Sequence, residues 1–252
     1  LRTILFTGGT TGKSKRAKLS HRAVMAGTKN GCYGIKKIFE ERYLLELPLT
    51  HVFGLIRNML TCFYTGSTLF ICRNNKDMFR DVAVFKPTIM VLVPALAEMA
   101  LNLSRQFGRN MWGPDLKTII CGAAPVAPYL VREYHKLGIA LLPGYGLTES
   151  ANLVSGNPEA LAKPDSVGLI YEGMEYKIVD GELWLRGINM MDGYVTDEEN
   201  AVSKSKPNKG LVNVPSNIST KYVVRKSVTV LTCLSSCKMP SRRIRITALG
   251  CC

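Results

Sequence analysis

Residues 88–103 read TIMVLVPALAEMALNL and contain, side by side, the two patterns that decide the fold. Thr88–Val93 is a short apolar run rich in β-branched residues, which is typical of a strand. Pro94 follows at a position where a helix can begin without losing a hydrogen bond. Four residues at helical spacing then predict one buried helix face: Leu96, Met99, Ala100 and Leu103.

The same alternation of strand and helix extends in both directions. Further strands are expected at Thr3–Phe6, Tyr43–Leu47, Ser67–Cys72, Lys117–Cys121 and Ile139–Leu142. Further helices are expected from the N-cap Ser20 to about Cys32 with Gly34 ending it, at Phe53–Tyr64 with Gly66 ending it, and at Ala127–Leu137. Strands that alternate with helices of this length form βαβ units. The predicted fold class is therefore α/β, with a mostly parallel sheet and helices on both faces.

The pattern changes from Val167 onward. Two strand-like runs, Glu175–Val179 and Glu182–Arg186, flank Asp180-Gly181, which is a strong signal for a β-hairpin. We expect an α/β nucleotide-binding part over residues 1–166 and a small β-hairpin unit of the same domain over residues 167–200. Residues 201–252 are expected to form a basic, poorly ordered tail, in which only Val223–Leu231 has a strand-like composition.

The net charge of +14 is concentrated in that tail. Residues 201–252 hold ten Lys/Arg and no Asp/Glu, so residues 1–200 hold 33 − 10 = 23 basic and 19 acidic residues, a charge of +4 that is ordinary for an enzyme domain. We expect that the tail is not the native continuation, as a shifted reading frame or a mispredicted exon would produce. The alternative is a genuine basic extension whose segment Arg242-Arg243-Ile244-Arg245 contacts phosphate. Tyr222 is the tail's only aromatic residue, so no nucleic-acid partner is expected.

The cysteines and the apolar runs indicate the compartment. Four cysteines lie in apolar segments, as small buried residues in a reducing compartment do: Cys32, Cys62, Cys72 and Cys121. The other four crowd the last twenty residues without a histidine or a zinc-site spacing: Cys233, Cys237, Cys251 and Cys252. No apolar run reaches the length of a transmembrane helix. A cytoplasmic protein is therefore expected, and because the chain starts at Leu1 without Met we expect it to begin inside a larger protein.

The loop after the first strand predicts a phosphate site. It reads Thr7-Gly8-Gly9-Thr10-Thr11-Gly12-Lys13-Ser14-Lys15. Glycines let the backbone approach phosphate closely, hydroxyl and N–H groups donate to its oxygens, and Lys supplies charge. A Walker A loop requires four residues between its glycines, and Gly8 is one residue too close to Gly12. A P-loop nucleotide hydrolase is therefore the weaker alternative.

Two more loops follow predicted strands, where ligands bind in parallel sheets. Cys121-Gly122-Ala123-Ala124-Pro125 has small residues that allow a flat ring to approach the backbone, although a plain tight turn fits equally well. Gly144-Tyr145-Gly146-Leu147-Thr148-Glu149 offers an aromatic face, a hydroxyl and a hard carboxylate suited to Mg²⁺. The alternative for this loop is an exposed segment with an incidental Glu.

Taken together, these segments resemble the adenylate-forming (AMP-binding) superfamily, which includes acyl-CoA synthetases such as fatty-acid–CoA ligases, peptide-synthetase adenylation domains and luciferases. The first loop resembles the signature Tyr-Thr-Ser-Gly-Thr-Thr-Gly-x-Pro-Lys. Four further segments match in family order: Leu47–Gly54, Gly122–Pro125, Gly144–Glu149, and Gly181–Gly187 through Gly193-Tyr194.

The resemblance implies a role for each site residue. Thr7–Gly12 and Lys15 would hold the ATP β- and γ-phosphates. The segment Gly144–Leu147 would bind the nucleotide, and its Tyr145 would stack on adenine. Four small residues would lie along the edge of the adenine ring: Gly122, Ala123, Ala124 and Pro125. Thr148 would contact phosphate, Glu149 would bind Mg²⁺, and these two with Lys15 would form the catalytic set. His51 would lie near the carboxylate pocket, or else it only initiates a helix.

The implied reaction joins a carboxylic acid to coenzyme A, using ATP and Mg²⁺, through an acyl-adenylate. Leu147 stands where peptide-synthetase domains usually have Pro, which favours the acyl-CoA synthetases, and the acid itself is not determined. Three residues depart from the signature, with Gly8 for Ser, Ser14 for Pro and Arg16 for Gly. No Thr-Gly-Asp element and no catalytic lysine domain is recognisable after Asn200, so we expect an incomplete and inactive enzyme. The alternatives are a non-catalytic nucleotide-binding module and another adenylate-forming enzyme.

Overall fold

The computed structural model describes residues 2–7, 14–32, 39–74, 76–179, 182–196 and 212–214. The strands are β1 Arg2–Thr7, β2 Lys15–Ser20, β3 Arg42–Leu45, β4 Thr68–Ile71, β5 Ile89–Leu92, β6 Thr118–Cys121, β7 Ala140–Leu147, β8 Asn152–Gly156, β9 Leu169–Ile170, β10 Met174–Val179, β11 Glu182–Gly187 and β12 Val212–Val214. The helices are α1 His21–Asn30, a π-helix Phe53–Leu60 continued by α2 Thr61–Tyr64, α3 Met78–Phe85, α4 Pro94–Gln106 and α5 Pro128–Lys136, with a 3₁₀ turn at Thr148–Ser150.

A seven-stranded sheet in the order β4-β3-β5-β6-β7-β8-β9 forms the centre of the molecule. The strands from β4 to β7 are parallel, and β8 and β9 add to β7 in antiparallel orientation. The predicted α/β class with a mostly parallel sheet is therefore confirmed. Parallel pairing places the end of β6 beside the middle of β7, since Cys121 pairs with Pro143.

Helices cover both faces of this sheet, as expected. Strand β5 is buried throughout, and its residues alternate between two cores. Met90 and Leu92 pack in the larger core with residues of α3, α4 and α5, whereas Ile89 and Val91 pack on the other face with Phe53 and Cys62. This two-sided burial explains why β5 has a continuous apolar sequence instead of an alternating one.

Helix α4 begins with Pro94 at its first turn, as predicted, and the predicted buried face is correct for Ala100 and in part for the half-buried Leu96 and Leu103, but wrong for Met99. The buried residues are Ala97, Ala100, Leu101 and Ser104, and Met99 is 40% exposed. Small residues line the contact because α5 approaches closely: the Tyr134 hydroxyl donates to the Ala97 carbonyl oxygen at 2.7 Å. Of the larger apolar side chains, Leu101 is buried on this face and Met99 lies on the exposed side of the helix.

Strands β1 and β2 form a separate antiparallel two-stranded sheet, of which only β1 was predicted. Ser20 then caps α1, where its hydroxyl accepts a 3.1 Å hydrogen bond from the Ala23 N–H, as predicted. The helix ends at Asn30, two residues before the predicted end, and Gly34 lies outside the described residues.

The segment Gly144–Leu147 was predicted to be a loop and is instead the second half of β7. It pairs with β8, with a register shift between Tyr145 and Gly146. Gly146 is required there because a Cβ would lie 2.2 Å from the Asn152 carbonyl oxygen. Gly146 is therefore explained by the close approach of the β8 backbone and not by a turn.

A small sheet of β10, β11 and β12 follows, and the predicted hairpin is present because β10 pairs with β11 in antiparallel orientation. Its turn Asp180-Gly181 and the predicted strand Val223–Leu231 lie outside the described residues. Within the described part of the chain, no helix is both long and apolar enough to cross a membrane.

Candidate active site

The β1–β2 hairpin brings together the two ends of the predicted phosphate loop. Thr7 ends β1, is buried, and pairs in register with Lys15 at the start of β2. The loop residues Gly8, Gly9, Thr10, Thr11 and Gly12 lie outside the described residues. The structure therefore describes the two ends of the phosphate loop and the elements packed around them.

The second predicted segment follows β6 at the carboxyl edge of the sheet. Gly122 is buried, and a Cβ there would lie 3.1 Å from the Gly144 carbonyl oxygen and 3.2 Å from the Phe53 ring. The next three residues are exposed: Ala123, Ala124 and Pro125. Ala123 has a positive φ of 63°, which few residues with a side chain adopt and which is frequent at functional sites. Small exposed residues next to Gly144 of β7 leave a surface that a flat ring can approach.

Tyr145 lies at the same edge, in β7. Its half-buried side chain packs against the cluster of Val154, Leu183 and Leu185, and its hydroxyl has no hydrogen-bond partner among the described residues. Burial, and then the charge of Glu149, raise the pKa of the Tyr145 phenol. The side chain therefore acts as an aromatic surface, with a hydroxyl that stays protonated.

The 3₁₀ turn Thr148–Ser150 follows β7 directly. The Ser150 hydroxyl accepts from the Leu147 N–H at 3.0 Å and donates to the Asn152 carbonyl oxygen at 2.8 Å, which fixes the turn. Thr148 is buried and Glu149 is half-buried, and the turn packs against β1 and β2. The structure thus brings the Thr148–Glu149 segment next to the ends of the phosphate loop.

Residues 191–195, called the strap below, join these two elements. Their backbone pairs with β2 on the edge that β1 leaves free, and the Met191 N–H also donates to the Glu149 carbonyl oxygen at 2.8 Å. The hydrogen bonds to β2 are Asp192 N–H to Lys18 O, Lys18 N–H to Gly193 O and Val195 N–H to Arg16 O, each 2.9 Å long. The strap therefore ties the phosphate-loop hairpin to the Glu149 turn.

Tyr194 is the central side chain of the strap. It is 5% exposed, its hydroxyl donates to Glu149 Oε1 at 2.8 Å, and Lys15 Nζ lies 5.0 Å from the centre of its ring. Sequence reasoning assigned no role to this residue, although Gly193-Tyr194 belongs to a segment that resembles the adenylate-forming enzymes. The position of Tyr194 in this segment was the only indication in the sequence that it belongs to the site. Its contacts with Glu149 and Lys15 could not be predicted from the sequence.

His51 lies at the start of the π-helix. Its Nδ1 accepts a 3.2 Å hydrogen bond from the Phe53 N–H, and partial desolvation there lowers the pKa of the imidazole. This is the helix-initiating role that the sequence left as the alternative. The side chain is exposed, and a role in a carboxylate pocket stays a prediction.

The residues at Glu149 are compatible with Mg²⁺. Glu149 Oε1 accepts from Tyr194, while Oε2 has no partner within the described ranges. No group of three or more His, Cys, Asp or Glu side chains suited to a metal occurs in the described residues. One available carboxylate oxygen matches Mg²⁺, which usually takes one or two carboxylates and completes its shell with water and substrate phosphate.

Comparison with known proteins gives a family match and several relatives. The sequence model of a family described as AMP-binding enzyme matches residues 1–195. 4-Coumarate–CoA ligase-like 9 from Arabidopsis thaliana is 33% identical over 219 residues, which is 78% of this chain and 38% of that protein. The chain thus spans about two fifths of the length of the curated relatives it matches.

Two solved structures share the fold. o-Succinylbenzoate CoA synthetase from Bacillus subtilis, as a double mutant bound to the product analogue OSB-NCoA, has a TM-score of 0.71 at 23% identity and covers 84% of this chain and 45% of that one. The same enzyme in complex with ATP and magnesium ion also has a TM-score of 0.71, at 22% identity over 84% of this chain and 46% of that one.

Proposed function

Because the chain belongs to the AMP-binding enzyme family, we propose that it is a fragment of an ATP-dependent acyl-CoA synthetase that carries the nucleotide-binding half of the site. The observation that supports this most directly is the strap, which joins Lys15, Tyr194 and Glu149 beside the ends of the phosphate loop. A phosphate-binding ammonium and a hard carboxylate close to one loop are what ATP and its metal ion require.

The nucleotide is proposed to lie across the carboxyl edge of the large sheet. Adenine would stack on Tyr145, with Gly122–Pro125 along its edge, because Gly122 and Gly144 are adjacent and the residues after Gly122 are exposed. Thr7–Gly12, Lys15 and Thr148 would hold the β- and γ-phosphates. His51 would lie towards the carboxylic acid.

The proposed chemistry transfers the adenylyl group in one displacement. A carboxylate oxygen attacks the α-phosphorus of ATP, the bond to the bridging oxygen breaks, and pyrophosphate leaves with that electron pair. Lys15 and the backbone N–H groups of the loop would stabilise the negative charge that develops on the phosphate oxygens. Mg²⁺, when bound at Glu149, would neutralise charge on the phosphates. A thiol, proposed to be coenzyme A, then displaces AMP from the acyl-adenylate.

Several finer points are part of the same proposal. Fatty-acid metabolism is proposed because fatty-acid–CoA ligases are among the enzymes that the sequence resembles, although the sequence does not determine the acid. The four cysteines of the described residues form no disulfide, which supports a reducing compartment such as the cytoplasm. The division into residues 1–166, 167–200 and a non-family tail 201–252 is also proposed, and the family match that ends at residue 195 supports the last boundary. Strand β12 nevertheless lies within that tail and pairs with β11.

Two assays on the purified 252-residue chain test the proposal. We expect calorimetry to detect ATP binding that is stronger with Mg²⁺, and we expect no acyl-CoA from a panel of carboxylic acids, ATP and CoA. Lys15→Ala should weaken ATP binding, and Lys136→Ala on the exposed end of α5 is the matched control. Absence of ATP binding would refute the proposed site. Abundant acyl-CoA would refute the proposal that this chain is an incomplete enzyme. Binding without any ATP–pyrophosphate exchange would favour a non-catalytic nucleotide-binding module.

A further inference from the structure

Tyr194 contacts both charged groups of the proposed site with two different parts of its side chain. Its hydroxyl donates to Glu149 Oε1 at 2.8 Å, and its ring centre lies 5.0 Å from Lys15 Nζ. The two charged residues belong to different segments of the chain, β2 and the 3₁₀ turn. A single neutral side chain therefore spans the groups proposed to hold the metal ion and the phosphates.

Each contact restricts one of the two charged groups. A hydroxyl that donates to a carboxylate forms a charge-assisted hydrogen bond, which takes one oxygen and fixes the plane of the carboxylate. The other oxygen, Oε2, is then held in one direction instead of rotating. The face of an aromatic ring attracts an ammonium group without neutralising its charge, so Lys15 is held in place and keeps its full charge for phosphate.

The backbone around Tyr194 fixes the position of its side chain. Tyr194 forms an antiparallel bridge with Ala17, which is fully buried, and the strap residues on both sides of it are hydrogen-bonded to β2. Met191 is bonded to the backbone of Glu149 itself. Main-chain hydrogen bonds thus fix the positions of the strap, β2 and the turn relative to one another. The contacts of Tyr194 then fix the side chains of Glu149 and Lys15 within this frame.

We propose that Tyr194 is a positioning residue of the nucleotide site, which sets the metal-binding carboxylate of Glu149 and the phosphate-binding ammonium of Lys15 relative to each other. Its role would be exerted through its two neighbours, Glu149 and Lys15, which it contacts directly. The inference rests on the proposed function and adds to it a residue for which the sequence predicted no role.

The two contacts can be separated by substitution. Tyr194→Phe removes the hydrogen bond and keeps the ring, whereas Tyr194→Leu removes both. Tyr134→Phe is the matched control, since the Tyr134 hydroxyl is also buried and hydrogen-bonded but lies between α4 and Trp112 in the large core. ATP binding to each folded variant is measured by calorimetry without Mg²⁺ and over a titration of Mg²⁺.

The expected pattern differs between the two variants. Tyr194→Phe should raise the Mg²⁺ concentration for half-maximal enhancement about 10-fold to 100-fold, the usual effect of removing the partner of a metal ligand, and leave Mg²⁺-free ATP binding unchanged. Tyr194→Leu should also weaken Mg²⁺-free ATP binding, by about 2-fold to 5-fold, which is the range for a cation–π contact whose ammonium group remains partly in water. Tyr134→Phe should change neither value, even if it lowers stability more than Tyr194→Phe.

The outcomes separate this inference from the proposed function. If the unaltered chain binds Mg²⁺-ATP and Tyr194→Phe has the same Mg²⁺ dependence, Tyr194 is only a packing residue and the inference is wrong. It is equally wrong if Tyr134→Phe shifts the Mg²⁺ dependence as far, because the effect is then one of general stability. If the unaltered chain does not bind ATP at all, the proposed function fails and the inference fails with it.

Discussion

Glu46 offers a direct test of how the core of this protein handles a buried acid. It follows β3, is 8% exposed, and receives no hydrogen bond from another described residue at either carboxylate oxygen. Burial raises the pKa of Glu46 from 4.5 to about 8, and the N–H of Glu46 itself opposes this only in part. The pKa of the nearby Cys72 thiol is raised mainly by burial, and the charge of Glu46 in turn contributes to that shift. We predict that Glu46→Gln stabilises the protein increasingly as the pH rises.

The sign and size follow from proton linkage. Between pH 4.5 and about 8 the unfolded chain has released the Glu46 proton and the folded chain retains it, so the free energy of unfolding falls as pH rises. The slope is about 1.4 kcal/mol per pH unit in that window, which gives a loss of about 4 kcal/mol between pH 5 and pH 9. Glutamine has nearly the same shape and does not ionise. Its own unsatisfied amide lowers stability by an amount that does not vary with pH.

Urea denaturation of both proteins from pH 5 to pH 9, with a reducing agent present, measures this difference. The two stability curves should diverge steadily with rising pH, by about 4 kcal/mol over the range. Glu175→Gln on the exposed strand β10 is the matched control and should stay within about 0.5 kcal/mol of the unaltered chain throughout. Parallel curves for Glu46→Gln and the unaltered chain would refute the reasoning, because they would mean that Glu46 ionises in the folded protein as readily as in the unfolded one.

Four further substitutions, at three positions, test local features by calorimetry and urea denaturation. Tyr145→Phe should keep both ATP binding and stability, because the Tyr145 hydroxyl is unpartnered in the described structure. Tyr145→Ala should weaken ATP binding about tenfold or more, because the stacking of adenine on the ring is lost. Equal ATP binding by the two variants would show that adenine does not stack on this ring. Ser20→Ala should lower the free energy of unfolding by about 1 kcal/mol, since the Ala23 N–H loses its cap, and an unchanged value would mean that water replaces it. Gly168→Ala should cost roughly 2 kcal/mol or more, because φ is 87° and a Cβ would lie 1.8 Å from the Gly156 carbonyl oxygen; wild-type stability would contradict that backbone geometry.

The elements that sequence reasoning predicted correctly are those fixed by neighbouring residues. The apolar run of β5 followed by Pro94, and the Ser20 cap of α1, depend on side chains within a few positions of each other. Helix α3 was missed because its local signals are weak. Asp77 at its N-terminus forms no capping hydrogen bond to the helix, and it ends at Lys86 in a left-handed conformation that is usually left to Gly or Asn.

The errors arise where tertiary contacts override the local pattern. Gly144–Leu147 has the composition of a loop, yet β8 pairs with it and completes a strand. The face of α4 is set by how closely α5 approaches, which favours Ala97 and Ala100 over the larger Met99. Strand β2 has a polar sequence, KRAKLS, and only its pairing with β1 makes Ala17 and Leu19 core residues. These contacts depend on how the elements pack against one another, which the local pattern of apolar and polar residues does not show.

In the candidate site too, the local motifs were predicted and the contacts between distant segments were not. Motif resemblance predicted Lys15 and Glu149 separately, but it could not connect them, since the residue that does so lies 45 positions beyond Glu149. The connection has a physical cause in the isolated two-stranded sheet. Strand β2 has two edges, β1 occupies one, and the unpaired N–H and C=O groups of the other would be left without partners if nothing covered them. The strap satisfies that edge, and in doing so it places Tyr194 over Lys15 and beside Glu149. A backbone requirement of the fold therefore creates the geometry that the proposed metal and phosphate chemistry would use.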